Sequence, residues 1–394
     1  MHSGLAKTRL DRMHDVLAGH VERGELPGLV TLVARHGETH VDVLGKQAVD
    51  GVSMQRETIF RISSMTKPVT AVGAMILVEE CRLRLDDPVD DLLPELADRR
   101  VLTSIDAPLD DTVPARRAIT LRDLLTFRLG FGQLTAAGEV PPILRAAEEA
   151  QVAVGPPAPA NVPGPDEWLR RLGELPLMYQ PGERWLYHTG ADLLGVLISR
   201  ATGQSLQGFL RERLFEPLGM RDTHFGVPPY KASRFATSYW MDGVVYDEPD
   251  GQWAEVPEFQ SGGGGLVSTV DDYLAFGSML LHKGKHGGER ILARPTVELM
   301  TTDQLTAAQK AASGFFPGYF DSRGWGFGMS VVTARTDIAA VPGTFGWDGG
   351  LGTSWLTDPS EDLVALMFSQ RAGFPQFSPH FRDFWTGVYQ AIDD

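Results

Sequence analysis

Strand-like segments lie near both ends of this chain, and helical patterns fill much of the region between them. The segments typical of strands, the first two joined by a turn near Gly37, are 26–37, 38–45, 324–333, 343–358 and 362–370. This order predicts an α/β (α+β) fold in which residues 1–62 and 230–394 form one domain around an antiparallel sheet. Residues 63–229 would form an inserted, mainly helical domain, and we expect the functional site between the two domains.

Helical signals support this division. Apolar periodicity predicts helices near the two ends of the chain, at 5–22 and 377–392. Thr120 and Asp123 have the spacing of a capping box, and Gly203 has the position of a C-cap. Residues 261–265, SGGGG, precede another helical pattern, but the sequence lacks the motifs of a phosphate-binding loop. The loop 154–166 is a surface excursion or a functional segment, and the sequence leaves both open.

Composition narrows the classes of function. The chain has 394 residues with 43% hydrophobic content, which is enough for a large core, and its net charge of −15 argues against a nucleic-acid partner. We expect a cytoplasmic protein without a membrane partner, because we find no signal-like segment and no apolar run of membrane-spanning length. Cys81 is the single cysteine, which excludes an intrachain disulfide, and its apolar context predicts that it is buried.

One lysine lies in an apolar stretch, RISSMTKPVTAVGAMIL, at residues 61–77. If a helix begins near Ser64, then Ser64 and Lys67 share one face, one turn apart. A serine hydroxyl is a weak nucleophile until a neighbouring base takes its proton, and desolvation lowers the pKa of a lysine enough for it to be that base. The sequence therefore predicts that Lys67 contacts and activates Ser64.

Two further segments strengthen this prediction, because S-x-x-K is a weak pattern by itself. Tyr187 and His188 come just before a helical pattern that starts near Gly190. The segment FGWDGGLGTSW has glycines at positions 346, 349, 350 and 352. Glycines clustered in a strand usually mark the close approach of a ligand or of another backbone.

Together these segments resemble the serine β-lactamase and penicillin-binding-protein superfamily, and most of all its class C β-lactamase branch and the related family VIII carboxylesterases. Ser64-Met65-Thr66-Lys67 matches the S-x-x-K motif. Tyr187-His188-Thr189 stands where that branch has Y-x-N, and Trp347-Asp348-Gly349-Gly350 stands where β-lactamases have K-T-G. The resemblance implies a β-lactamase-like fold, with an antiparallel sheet flanked by helices and an inserted helical domain.

The resemblance also implies roles in acyl transfer through an acyl-enzyme. Ser64 would attack the carbonyl, Lys67 and Tyr187 would form the base system, and Tyr187 would protonate the leaving alcohol. The N–H groups of Ser64 and Gly350 are candidates for the oxyanion hole. We expect Thr189 to orient Lys67 and Trp347 to line the acyl or alcohol pocket. The residues predicted to bind substrate are Trp347, Asp348, Gly349, Thr189 and His188.

The K-T-G lysine is absent, which disfavours β-lactamase activity. Trp347 offers an apolar surface, and Asp348 would repel a substrate carboxylate if it faced the site. We therefore predict a carboxylesterase for small, fairly apolar acyl groups. The alternatives are an acyltransferase, then a D-amino-acid peptidase or weak β-lactamase, and last a non-catalytic binding protein.

His188 raises the alternative of a Ser–His–Asp hydrolase, but the chain has no G-x-S-x-G sequence, so a local structural role for His188 is favoured. The other histidines show no H-E-x-x-H pattern. We expect no catalytic metal and no cofactor, and the partner would be a small-molecule ester. The natural substrate, the acyl chain length and the oligomeric state stay open.

Overall fold

The structure, a computed structural model, describes residues 3–134, 140–373 and 378–394. Its α-helices are α1 Lys7–Glu22, α2 Thr66–Glu79, α3 Leu121–Leu125, α4 Pro142–Glu149, α5 Pro165–Glu174, α6 Thr189–Thr202, α7 Leu206–Leu210, α8 Glu216–Leu218, α9 Val270–Leu281, α10 Arg294–Met300, α11 Ala307–Ala311 and α12 Pro379–Gln390. Short 3₁₀ turns cover Ser63–Met65, Pro94–Leu96, Pro159–Asn161 and Pro229–Arg234, and a π-helical turn covers Arg211–Phe215.

The strands are β1 Gly28–Arg35, β2 Glu38–Gly45, β3 Phe60–Arg61, β4 Arg100–Leu102, β5 Thr112–Pro114, β6 Ser238–Tyr239, β7 Val245–Asp247, β8 Val267–Ser268, β9 Lys285–His286, β10 Glu289–Arg290, β11 Arg323–Trp325, β12 Ser330–Val332, β13 Phe345–Gly349, β14 Thr353–Asp358 and β15 Leu363–Ser369. Seven of them form one sheet in the order β11-β12-β13-β14-β15-β1-β2.

Every pair in the seven-stranded sheet is antiparallel. The two ends of the chain meet where β1 pairs with β15, from Leu29 opposite Ser369 to Arg35 opposite Leu363. The predicted fold class is confirmed. The boundaries at residues 62 and 229 stay a prediction, since one apolar core runs from the sheet into the helical region.

The two faces of the sheet pack against different helices because side chains alternate along a strand. On one face Ala365 and Met367 join a cluster with Leu17 of α1 and Phe384 of α12. On the other face Leu366 belongs to the main core, which includes α9. The catalytic candidates all lie on this second side, which we call the inner face.

Helix α2 lies at the centre of the main core. Every residue from Thr66 to Leu77 is buried, as expected of a helix that is apolar on nearly all sides. The helix packs on α6 and α7, and the 3₁₀ turn before it packs on β13 and β14. This position removes Lys67 from solvent.

Several local predictions are confirmed. Thr120 and Asp123 make the capping box of α3, and Gly203 ends α6 in a left-handed conformation with φ 71°. Both end helices form, at Lys7–Glu22 and Pro379–Gln390, although Phe377, the first residue of the predicted second helix, lies outside the described residues. No helix in the described part of the chain is long and apolar enough to cross a membrane.

The prediction that Cys81 is buried is wrong. Helix α2 ends at Glu79, and Cys81 lies in the following turn with φ 59° and an exposed side chain. The apolar run before it suggested burial, but the position of the helix end decides which way the thiol faces.

Helix α9 reaches the sheet through Gly277. A Cβ at this position would lie 2.7 Å from Trp355 Nε1 and 2.9 Å from Val364 Cγ1, whereas a Cβ at Gly19 of α1 would meet only the end of the Arg23 side chain, at 3.0 Å. We predict that Gly277→Ala lowers the free energy of unfolding by about 1–3 kcal/mol through overpacking. Gly19→Ala, the matched control, should raise it by up to about 1 kcal/mol because alanine favours the helix. Urea denaturation measures both, and equal stability changes would contradict this packing.

Candidate active site

The first element of the site is the junction of the 3₁₀ turn and α2. Ser64 lies in the turn Ser63–Met65 and is partly exposed, whereas Lys67 lies in the first turn of α2 and is completely buried. The Nζ atom of Lys67 is 3.0 Å from Ser64 Oγ. The spacing of three residues therefore brings the hydroxyl and the amine into contact.

The surroundings of Lys67 favour its neutral form. Burial lowers the pKa of Lys67 to about 7, and the charge of Asp192 opposes part of that shift. Besides Ser64, the amine donates to the backbone oxygen of Gly263 at 2.5 Å and lies 3.0 Å from His188 Nδ1. A near-neutral amine beside a serine hydroxyl can accept the proton of that hydroxyl.

Tyr187 is the second side chain that contacts Ser64. Its buried hydroxyl hydrogen-bonds with Ser64 and accepts a hydrogen bond from Trp347 Nε1 at 2.7 Å. Lys67 Nζ is 4.4 Å from the centre of its ring. Burial raises the pKa of Tyr187 well above its usual value, so the phenol keeps its proton at neutral pH. At neutral pH, Lys67 is therefore the group with a lone pair available to accept a proton, and Tyr187 is the group that carries a proton.

Aromatic side chains surround Tyr187. The cluster consists of Phe127, Trp185, Phe315, Tyr319, Phe320, Trp325 and Trp347 together with Tyr187 itself. The ring of Phe315 lies 4.9 Å from that of Tyr187 and 6.3 Å from that of Trp347, measured between centres. The cluster keeps water from the phenol and gives this side of the site an apolar surface.

Asp348, which the sequence predicts to bind substrate, lies on the side of the sheet away from Ser64. Trp347 contacts Tyr187 on the inner face of the sheet, and successive strand residues point to opposite faces. Asp348 accordingly lies on the face that carries α12, where Ser354 Oγ donates to its carboxylate at 2.5 Å. Burial there raises the pKa of Asp348. Its carboxylate therefore does not face Ser64.

The glycines after Trp347 differ in their contacts. Gly349 packs so closely on the turn before Ser64 that a Cβ would lie 2.3 Å from the backbone oxygen of Ile62. Gly350 follows the end of β13, is exposed, and has open space where a Cβ would be. Gly349 thus allows β13 to approach the turn that carries the nucleophile.

Thr189 and His188 occupy positions that differ from the expected ones. The hydroxyl of Thr189, expected to orient Lys67, has no hydrogen-bond partner among the described residues. Its neighbour His188 contacts the lysine instead, with a largely buried ring and φ 84°. His188 therefore lies behind Lys67, and the structure does not place it as a substrate contact.

Sequence reasoning missed two residues of the site. Asp192 is buried in the first turn of α6, with Oδ2 3.0 Å from His188 Nε2. Gly263 accepts a hydrogen bond from Lys67 and donates its N–H to Asp192 Oδ1 at 2.9 Å. The spacing of four residues between His188 and Asp192 and the glycine run 262–265 were the available signals.

The geometry can be compared with known proteins. A family model described as Beta-lactamase matches residues 13–383. The chain belongs to the β-lactamase family. The superfamily resemblance predicted from the sequence is therefore confirmed.

This β-lactamase-family chain has relatives over nearly its whole length. It is 42% identical over 360 residues to Protein Rv1367c of Mycobacterium tuberculosis, a match that covers 89% of this chain and 87% of that protein. It is 31% identical over 395 residues to Esterase EstB of Burkholderia gladioli, covering 92% of this chain and 90% of that one. The solved structure of EstCE1, described as a hydrolase with promiscuous acyltransferase activity, matches with a TM-score of 0.77 and 25% identity and covers 97% and 99% of the two chains.

The two glycines of β13 provide a test of the site geometry. We predict that Gly349→Ala slows covalent modification of Ser64 by a fluorophosphonate by about tenfold or more, because its Cβ would push β13 away from the serine. Gly350→Ala should stay within about threefold of the wild type, since its Cβ meets open space. Time-resolved intact-mass measurement gives both rates. If the two variants react equally fast, the close approach at Gly349 does not position the serine.

Proposed function

We propose that this protein is a serine carboxylesterase that cleaves small-molecule esters through an acyl-enzyme on Ser64. One observation carries the proposal: the hydroxyl of Ser64 lies 3.0 Å from a completely buried lysine amine whose pKa is about 7. The named esterase relative and the described hydrolase of the same fold support the reaction class.

Acylation begins when Ser64 Oγ attacks the carbonyl carbon of the ester and its proton moves to Lys67 Nζ. The carbonyl oxygen becomes an oxyanion, for which the N–H groups of Ser64 and Gly350 are the donors we propose. Gly350 follows the strand that packs on the turn of Ser64, which supports this pairing.

Collapse of the tetrahedral intermediate breaks the bond to the alcohol. Tyr187 is protonated, hydrogen-bonds with Ser64 and is fixed by Trp347, so it can deliver a proton to the leaving oxygen. The proton held by Lys67 then restores that of Tyr187. Attack by water on the acyl-enzyme gives hydrolysis, and attack by a second alcohol gives acyl transfer.

Acyl transfer is the second candidate function. The aromatic cluster around Tyr187 favours it, because an apolar site lowers the access of water and favours an alcohol acceptor. Product analysis with added short alcohols separates the two reactions, since a transferase yields a new ester and an esterase yields the acid.

The acyl group that fits is small, neutral and fairly apolar. Trp347 stands where β-lactamases have a lysine, and a charge-assisted hydrogen bond of the missing kind is worth about 1.5–3 kcal/mol. Its absence disfavours penicillins and carboxylate-bearing peptides, so the peptidase and weak β-lactamase alternatives rank below ester cleavage. A non-catalytic binding protein ranks last because Ser64, Lys67 and Tyr187 are in mutual contact.

The catalytic roles are tested by substitution. Ser64→Ala should abolish hydrolysis of p-nitrophenyl esters from acetyl to decanoyl and remove the acyl adduct from the intact mass. Lys67→Ala and Tyr187→Phe should each lower kcat by about 10² or more, and the double variant should lose little beyond that because the two groups act together. Nitrocefin serves as the comparison substrate and should react far more slowly. Turnover of the esters by Ser64→Ala would refute the proposal.

The pH dependence follows from the charge of Lys67. Below a pH of about 7 the amine is protonated and cannot accept the proton of Ser64, so kcat/KM should fall about tenfold for each pH unit. Above that pH the amine is neutral and the rate should level off. The check is a profile of kcat/KM for p-nitrophenyl acetate, corrected for spontaneous hydrolysis. A rate that does not change between about pH 5 and about pH 9 would contradict Lys67 as the base.

A further inference from the structure

A chain of hydrogen bonds continues beyond Lys67, on the side away from Ser64. His188 Nδ1 lies 3.0 Å from Lys67 Nζ, and His188 Nε2 lies 3.0 Å from Asp192 Oδ2. The other carboxylate oxygen of Asp192 accepts from Ser261 Oγ at 2.6 Å and from the N–H of Gly263 at 2.9 Å. Lys67 and Asp192 are buried, the side chain of His188 is 12% exposed, and Ser261 is partly exposed.

The positions of the hydrogens in this hydrogen-bond network can be assigned by starting from Asp192. Although burial opposes it, the contacts with His188 and Ser261 lower the pKa of Asp192, so its carboxylate is charged and accepts at both oxygens. His188 Nε2 must then carry the ring hydrogen, because it faces an acceptor. The Nδ1 atom is left with its lone pair, and Lys67 donates to it.

The same assignment of donors and acceptors determines the direction of the lone pair on Lys67 Nζ. A neutral amine has two N–H groups and one lone pair. One N–H is donated to Gly263 O and the other to His188 Nδ1. The third position, which faces Ser64 Oγ, holds the lone pair that a base needs.

We propose that His188 and Asp192 are a positioning pair for Lys67: Asp192 fixes the tautomer of His188, and His188 accepts the N–H that leaves the lysine lone pair directed at Ser64. This inference rests on the proposed function, in which Lys67 is the general base. It differs from a Ser–His–Asp triad because the lysine stands between the serine and the histidine and makes the contact with each.

The backbone is shaped to hold this pair. His188 has φ 84°, a conformation that costs energy for a residue with a side chain and that tends to persist at functional sites. Asp192 lies in the first turn of α6, where the helix dipole stabilises a negative charge. Gly263 must lack a side chain, because a Cβ there would lie 2.7 Å from His188 Nε2.

The charged and titratable groups around Lys67 come from two segments. The segment before α6 supplies Tyr187 and His188, and α6 supplies Asp192. The glycine run supplies an uncharged carbonyl. Among the described residues, Asp192 therefore carries the negative charge that raises the pKa of Lys67, whereas burial lowers that pKa.

The decisive variant is Asp192→Asn. An amide can keep the contacts to Ser261 and Gly263 through its oxygen, but it presents an N–H to His188 Nε2. The ring hydrogen must then move to Nδ1, where it competes with Ser64 for the lysine lone pair. We expect kcat/KM for p-nitrophenyl acetate to fall about 10²-fold or more. The midpoint of the pH profile should also move to lower pH, because a negative charge near Lys67 is lost.

The matched control is another hydrogen-bonded His–Asp pair. His14 Nδ1 lies 2.8 Å from Asp42 Oδ2, between α1 and β2 and away from the site. Asp42→Asn makes the same chemical change and should leave kcat/KM and the pH midpoint as in the wild type. An equal loss in both variants, or a wild-type rate and midpoint in Asp192→Asn, overturns the proposal.

A second pair of variants decides the question if Asp192→Asn does not fold. His188→Asn keeps an acceptor oxygen near the position of Nδ1 and tolerates positive φ, whereas His188→Phe keeps the ring but removes the acceptor. We expect His188→Asn to stay within about tenfold of the wild type and His188→Phe to lose about 10²-fold. A purely packing role for the ring predicts the reverse order and would refute the inference.

The two proposals fail in different ways. If Ser64→Ala still hydrolyses the esters, the proposed function is wrong. If Ser64→Ala is inactive while His188→Phe and Asp192→Asn behave as the wild type, the serine mechanism stands and the positioning pair does not.

Discussion

The chemistry of this site depends on the burial of one amine. Among the described residues, no carboxylate touches Lys67, and the nearest negative charge, Asp192, is held one imidazole away. Direct contact with a carboxylate would keep the amine charged, whereas complete isolation from negative charge would lower its pKa further and make it a weaker base. With His188 between them, the two groups are near enough to interact and too far apart for an ion pair. The apolar helix α2 and the core around it keep water from Lys67, and this desolvation is one half of the balance.

Glycine residues and one positive φ allow segments that are distant along the chain to contact Lys67 and the turn of Ser64. The glycine run 262–265 brings a carbonyl to Lys67, Gly349 brings β13 against the turn of Ser64, and His188 adopts a positive φ. The positive φ of His188 costs conformational energy, and the glycines permit close backbone contacts that a side chain would prevent. Through these contacts, segments that are distant along the chain meet at Ser64 and Lys67.

The sequence predicted the features that depend on short distances along the chain. The contact of Ser64 with Lys67 lies within one turn, the capping box of Thr120 is local, and strand patterns at both ends are sufficient for the confirmed antiparallel sheet. The family resemblance correctly included Tyr187 among residues near the serine. The natural substrate depends on pocket shape, which no short pattern encodes.

The features that the sequence did not predict depend on how distant segments pack. Asp348 was expected in the site, but the register of β13 with β14 turns it toward Ser354 on the far face. Gly263 contacts Lys67 directly and Asp192 contacts it through His188, and both contacts exist because α6 and the glycine run pack on α2. Their positions follow from tertiary contacts, and with a single sequence neither residue stands apart from ordinary helix and loop residues.

The nucleophile and the base come from one continuous segment, since Ser64 lies in the 3₁₀ turn that leads directly into α2 and Lys67 lies in the first turn of that helix. Tyr187 and Trp347 come from other segments, the stretch before α6 and the strand β13. Tyr187 is followed directly by His188, so any displacement of this stretch would move the proton donor for the alcohol and the imidazole beside Lys67 together. Trp347 comes from β13 instead, so remodelling this strand can alter the accepted leaving group or acceptor while α2 and the stretch before α6 keep the serine activated.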